Sequence, residues 1–200
     1  MEEGSTTVKL NLASAEGVFV VFRHTAATGE TPVVPVCRAA TGKTPVVPVG
    51  ESLKWMLSFP AGWGAPASFK LEKLASWTDL PLGEEGRHFS GTATYTTTFA
   101  GKAGARLALD LGEVETVAEV FVNGQKVRTL WTPPYRCEIG DLVKDGMNEL
   151  RVDVTTTWFN RLTYDAGLPE KDRKTWTIAG PKKGTSPKPA GLLGPVKLIR

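Results

Sequence analysis

Cysteine and histidine are almost missing from this chain: two of each stand among 200 residues, Cys37 and Cys137, His24 and His88. Two cysteines make neither a disulfide framework nor a zinc cluster. The histidines lie 64 positions apart, and there is no G-x-S-x-G elbow, no HExxH and no Cys or His pair at metal-ligand spacing. No reaction can be read from such a set. Long apolar runs are missing too: the longest early one, VFVVF at 18–22, is far shorter than a membrane span or the core of a signal peptide, and MEEGSTTVKL is acidic where a signal peptide would be basic. Charge of one sign is also scarce. The net charge is +3, with 22% charged and 41% apolar residues, the balance of a globular domain large enough to need no metal or disulfide staple. Residues 161–200 carry nine Lys or Arg against three acids, but no aromatic-interleaved basic run accompanies them. A solvated face is expected there, and neither nucleic acid nor membrane is expected as a partner.

Helical periodicity is scarce, and period-two alternation takes its place. Leu53, Trp55, Leu57 and Phe59 alternate, as do Ala93, Tyr95, Thr97 and Phe99, and Leu107, Leu109 and Leu111. Each set predicts a strand with one buried face. In VAEVFVNGQKVRTLW, Asn123-Gly124 supplies the two positive-φ residues of a tight hairpin turn. Further strands are predicted at 148–156, with Leu150, Val152 and Val154 on one side, near 174–178, and at 194–199. The fold class is therefore all-β, an antiparallel β-sandwich or jelly roll.

One phrase repeats: AATGETPVVPV at 26–36 returns as AATGKTPVVPV at 39–49, with only Glu30 changed to Lys43. The prolines of PVVPV remove ladder donors and confine each copy to an edge strand or an extended linker. Two copies are also too few for a solenoid, which needs roughly three units to bury a core. The GKT at 42–44 would end a phosphate-binding loop only if Gly stood where Cys37 stands and a helix followed.

Tryptophan is the residue in surplus, with six at 55, 63, 77, 131, 158 and 176. Several lie in AGWGAP, SWTDLP, LWTPPYR and TWFNRLTYD rather than in alternating strands. In such stretches an indole either closes the end of a core or stacks on the C–H face of a sugar while polar neighbours take its hydroxyls. The second reading selects Trp131 with Tyr135 and Arg136, Trp158 with Asn160, Arg161, Tyr164 and Asp165, and Trp63.

Taken in order, SGTATYTTTF (90–99), LDLGEVETVAEVFVNGQ (109–125), LWTPPYR (130–136), NELRVDVTTTWFNRLTYD (148–165) and AGLLGPVKL (190–198) resemble the C-terminal β-sandwich of glycoside hydrolase family 106-like proteins. Those proteins are similar to α-L-rhamnosidases, and the module is related to the galactose-binding-like, sugar-binding jelly rolls of family 2 enzymes. The resemblance covers about residues 50–200. FVVFR at 19–23 resembles the closing strand of the domain that precedes this sandwich. The organisation implied is a remnant of a preceding domain's last strands at 1–25, a tandem-repeat linker at 26–49 and a galactose-binding-domain-like jelly roll at 50–200. The catalytic carboxylates of that family lie in a barrel domain, so the resemblance implies a non-catalytic piece of an extracellular or periplasmic enzyme. Two roles follow. One is a carbohydrate-binding module for a plant or microbial polysaccharide or oligosaccharide; the other is an accessory domain that packs on the parent's catalytic domain with no sugar site. The sequence departs from the family pattern at Tyr164, where a small residue is usual, and at Thr155-Thr156-Thr157, which replaces an Asn-bearing stretch. The resemblance also raises a structural calcium ion, which would need hard oxygen ligands; no loop carries an acid cluster dense enough to name them.

Overall fold

The computed structural model describes residues 53–199, which belong to the compact unit Pro45–Arg200. The FVVFR stretch, the tandem repeat, Cys37 and His24 lie outside the described residues.

Among the described residues, eleven strands and two short α-helices follow in chain order: β1 Trp55–Ser58, β2 Ser68–Leu71, α1 Gly83–Arg87, β3 Thr92–Gly101, β4 Ala108–Asp110, β5 Glu113–Glu115, β6 Val117–Val122, β7 Gln125–Leu130, β8 Arg136–Glu138, β9 Gly146–Thr155, α2 Phe159–Asp165, β10 Gly191–Gly194 and β11 Lys197–Ile199. A six-stranded antiparallel sheet runs in the order β2-β1-β3-β9-β6-β7, and two smaller sheets, β11-β4-β8 and β10-β5, complete the sandwich.

The alternating residues decide which face is buried. Trp55 and Leu57, Ala93, Tyr95 and Phe99, Ala118, Val120 and Val122, and Leu150, Val152 and Val154 all point inward. They pack in one core with Leu109, Leu111, Cys137, Leu192 and Leu198 from the smaller sheets. Each fully buried aliphatic side chain there stabilises the fold by about 1.5–3 kcal/mol. Between β6 and β7 the hairpin closes as its dipeptide dictates, with Asn123 at φ 51° and Gly124 at φ 79°. Asn123 also ties the turn to its surroundings, its amide donating to Leu142 O at 2.9 Å and to Asn148 Oδ1 at 2.8 Å.

Two regions differ from the sequence reading. Residues 174–178 form no strand, because the backbone N–H groups of Lys174 and Thr175 donate to the Asp165 carboxylate rather than to a neighbouring ladder. And the TWFNRLTYD segment is not an open loop: from Phe159 to Asp165 it is helical. The helix turns Asn160, Arg161, Thr163 and Asp165 into the protein. No described helix is long and apolar enough to cross a membrane.

Candidate functional site

The predicted sugar-facing residues divide into two sets. The polar residues of α2 are interior. Arg161, 1% exposed, donates from one terminal nitrogen to Asp165 Oδ1 and from the other to Glu85 Oε1 on α1, both at 2.6 Å. Lys174 donates to the same Glu85 oxygen at 2.8 Å and to Gly62 O at 2.6 Å. The second oxygen of Asp165 accepts three bonds, from Lys174 N, Thr175 N and Thr175 Oγ1. Asn160 pairs with Lys188 through both its amide atoms, at 2.8 Å each. These groups hold α1, α2 and the 174–188 segment together: Arg161 and Asp165 are turned inward and bonded to each other, and Asn160 also lines a surface depression with Thr156, Thr157 and Lys188.

The electrostatics follow from this geometry. Burial works to raise the pKa of Asp165, but hydrogen bonds from Arg161 and Thr175 outweigh it and hold the carboxyl below its ordinary value. Glu85 is held low first by its bond from Lys174 and then by that from Arg161. Both carboxylates are therefore charged partners in a network and unsuited to act as a general acid. One donor of the network, Nε of Arg161, has no acceptor. The guanidinium lies instead between rings, 5.5 Å from the centroid of Trp63 and 5.1 Å from that of Tyr164. Tyr164 itself is half-buried, with its ring 5.4 Å from that of His88.

The tryptophans are the outward set. Trp158, 45% exposed, packs at 5.3 Å against the half-buried Trp63. Trp176 and Ile178 are 76% and 91% exposed on the segment anchored by Asp165. At the β7–β8 connection Trp131 is 63% exposed. Its predicted partners are less available: Tyr135 is buried and donates its hydroxyl to Thr116 O at 2.9 Å, and Arg136 is half-buried at the start of β8, opposite Asp110. Glu85 and Lys174, which complete the network, were missed by the sequence reading. The signal was present only as distance in the chain, since Glu85 lies 76 residues from Arg161. As for calcium, no group of three or more His, Cys, Asp or Glu side chains among the described residues is placed to hold a metal ion, so these residues do not fit one.

An antiparallel sandwich with this topology and these loop residues defines a galactose-binding-like domain. Residues 85–186, just over half of the chain, match the family model described as glycosyl hydrolase 2 galactose-binding domain-like, and the chain belongs to that family. Among solved structures it is similar to a rhamnosidase from Novosphingobium sp. PP1Y, at 41% identity and a TM-score of 0.65, over 73% of this chain and 14% of that one. A curated relative from Formosa agariphila, named "Putative beta-glucuronidase", is 40% identical over 121 residues, 58% of this chain and 10% of its own length. The GH2 beta-galacturonidase from Eisenbergiella tayi, bound to galacturonate, shares the fold at 17% identity and a TM-score of 0.50, over 74% of this chain and 23% of its own. This chain thus spans a small part of each relative, and the matched domain is an accessory sandwich of glycosidase-like proteins.

Proposed function

We propose that this chain is the non-catalytic accessory sandwich of a glycoside hydrolase of the rhamnosidase kind, in the manner of family 106, and that it works by packing on the rest of that enzyme. The observation that carries this reading is the commitment of Arg161 and Asp165 to each other inside the domain. Trp158 and Trp176 are left outward, and Trp158 packs against the half-buried Trp63. Exposed indoles, one of them two residues from the exposed Ile178, suit a protein face, where aromatic anchors bury area at little entropic cost. The occupant is the remainder of the parent enzyme, because the rhamnosidase relative holds the matching segment as only 14% of its length.

The test is a chimera in which this chain replaces the matching segment of the Novosphingobium rhamnosidase. The chimera is expected to fold and retain rhamnosidase activity, and the triple substitution Trp158→Ala, Trp176→Ala, Ile178→Ala to lower its melting temperature and activity. A chimera whose melting temperature and activity ignore the triple substitution would overturn the docking role.

A further inference from the structure

Between Thr175 and Lys188 the chain makes an excursion without strand or helix, and α2 holds both of its roots. At the entry, Lys174 N, Thr175 N and Thr175 Oγ1 all donate to Asp165 Oδ2. At the exit, Lys188 N donates to Asn160 Oδ1, and the Asn160 amide donates back to Lys188 O. Asn160 and Asp165 belong to one short helix, where five positions are about 7.5 Å of rise, so the ends of the excursion lie close together. That is an Ω-loop, and a loop already held in shape loses little freedom on binding. Pro181 and Pro187 restrict its backbone further. A turn closes its second half, where Thr185 donates from N and Oγ1 to Lys182 O at 3.1 and 2.7 Å, with Gly184 at φ 82°.

Two kinds of side chain are exposed on this loop. Residues 176–180 are exposed without a break and carry Trp176 and Ile178. Lys182 and Lys183 follow, also exposed, and enter no ion pair among the described residues. No Asp or Glu follows Asp172 in the sequence, so the loop has no acid of its own to offset them. The cations at its roots are already engaged, Lys174 with Glu85 and Lys188 over the Phe159 ring.

We infer that this loop selects its docking partner by charge as well as by shape, and that the face receiving it on the remainder of the parent enzyme is an apolar slot rimmed by carboxylates. The slot takes Trp176 and Ile178, and the rim meets Lys182 and Lys183. The inference rests on the docking role proposed above and adds the chemistry of the opposite surface. A neutral face would strip water from two ammonium groups without return, and a basic one would oppose like charges. Most of the parent is available to supply the acidic face, since the matching segment is 14% of the rhamnosidase relative and 10% of the curated one.

The experiment places three variants both in the chimera with the Novosphingobium rhamnosidase and in the free chain: Lys182→Glu with Lys183→Glu, Lys182→Gln with Lys183→Gln, and Trp176→Ala. In the free chain both lysine pairs should leave the melting temperature unchanged, because neither ammonium is paired among the described residues. In the chimera the Glu pair should lower it by about 2 °C or more in about 50 mM NaCl, and the Gln pair by less. Both losses should shrink in about 500 mM NaCl. A carbodiimide, which joins an ammonium to a carboxylate in contact with it, should cross-link Lys182 or Lys183 to an Asp or Glu outside this domain. A chimera weakened by Trp176→Ala that ignores both lysine pairs keeps the docking role and overturns the acidic rim, and the absence of any such cross-link overturns the rim too. A chimera that ignores Trp176→Ala as well overturns both. Binding of the free chain to phosphatidylserine vesicles, abolished by the Glu pair, would assign the loop to an anionic membrane and overturn the inference equally.

Discussion

Arg161 and Asp165 stand one helical turn apart and close an ion pair of 2.6 Å with side chains only 1% and 2% exposed. A pair this deep is costly to break from one side, because the buried guanidinium loses one of its two carboxylate partners and keeps only Glu85. Asp165→Ala is therefore expected to destabilise the domain by about 3–5 kcal/mol. The same change releases Lys174 N, Thr175 N and Thr175 Oγ1. Urea unfolding measures the first effect, and limited proteolysis near residues 174–178 measures the second. Unchanged stability together with an unchanged cleavage pattern would contradict the anchoring role.

The sign of the pH dependence follows from the same network. The folded pKa values of Asp165 and Glu85 are both depressed, so their contribution is fully present above the unfolded values, near 4. It declines as the pH falls through the folded values. The melting temperature should therefore drop on acidification below about pH 4. The stability difference between the parent and Glu85→Gln should be largest near neutrality and shrink in acid. A difference that grows as the pH falls would show that Glu85 is not held in its charged form.

The fold was legible in the sequence wherever one face of a strand is buried and the other wet. Leu150, Val152 and Val154 lie inside as their alternation requires, and Asn123-Gly124 turns the hairpin. The strands β2, β5, β8 and β10 were not read, because each has only three or four residues and lacks the flanking alternation that Leu107 and Leu111 give the equally short β4. The TWFNRLTYD segment was the instructive case. Its composition, aromatic beside Asn, Arg and Asp, is shared by a sugar site and by a buried polar network, and only the helical twist of α2 and the distant Glu85 separate them. In the same way the strand expected at 174–178 alternates in sequence but gives its N–H groups to a side chain.

Cys137 offers a chemical check on the core. Burial pushes its thiol up to about 12, so almost no thiolate exists at neutral pH, and the residue lies among apolar neighbours on β8. In a Cys37→Ser background, a disulfide-exchange reagent at pH 8 should find no reactive thiol in the native protein and one after denaturation. Rapid labelling of the native protein would mean that β8 opens far more readily than its packing implies.

Gly191 occupies the closest approach in the core. It sits at φ 101°, and a Cβ there would meet both Trp77 Nε1 and Tyr95 Oη at 2.5 Å. Those two atoms are themselves bonded at 2.5 Å, and Tyr95 Oη also accepts from Leu192 N at 3.0 Å. Neither ring has room to withdraw, since Trp77 and Tyr95 are both fully buried. Gly191→Ala thus combines backbone strain with overpacking, and a loss of about 3 kcal/mol or more is expected. Gly184 separates the two effects: its φ of 82° is similarly positive, but nothing lies within 4 Å of a Cβ there. Gly184→Ala should therefore show the strain alone, about 1 kcal/mol. Equal losses at the two glycines, measured by urea unfolding, would mean that the Trp77 and Tyr95 side chains yield, and that the tight hydrogen-bonded corner holding β10 is not rigid.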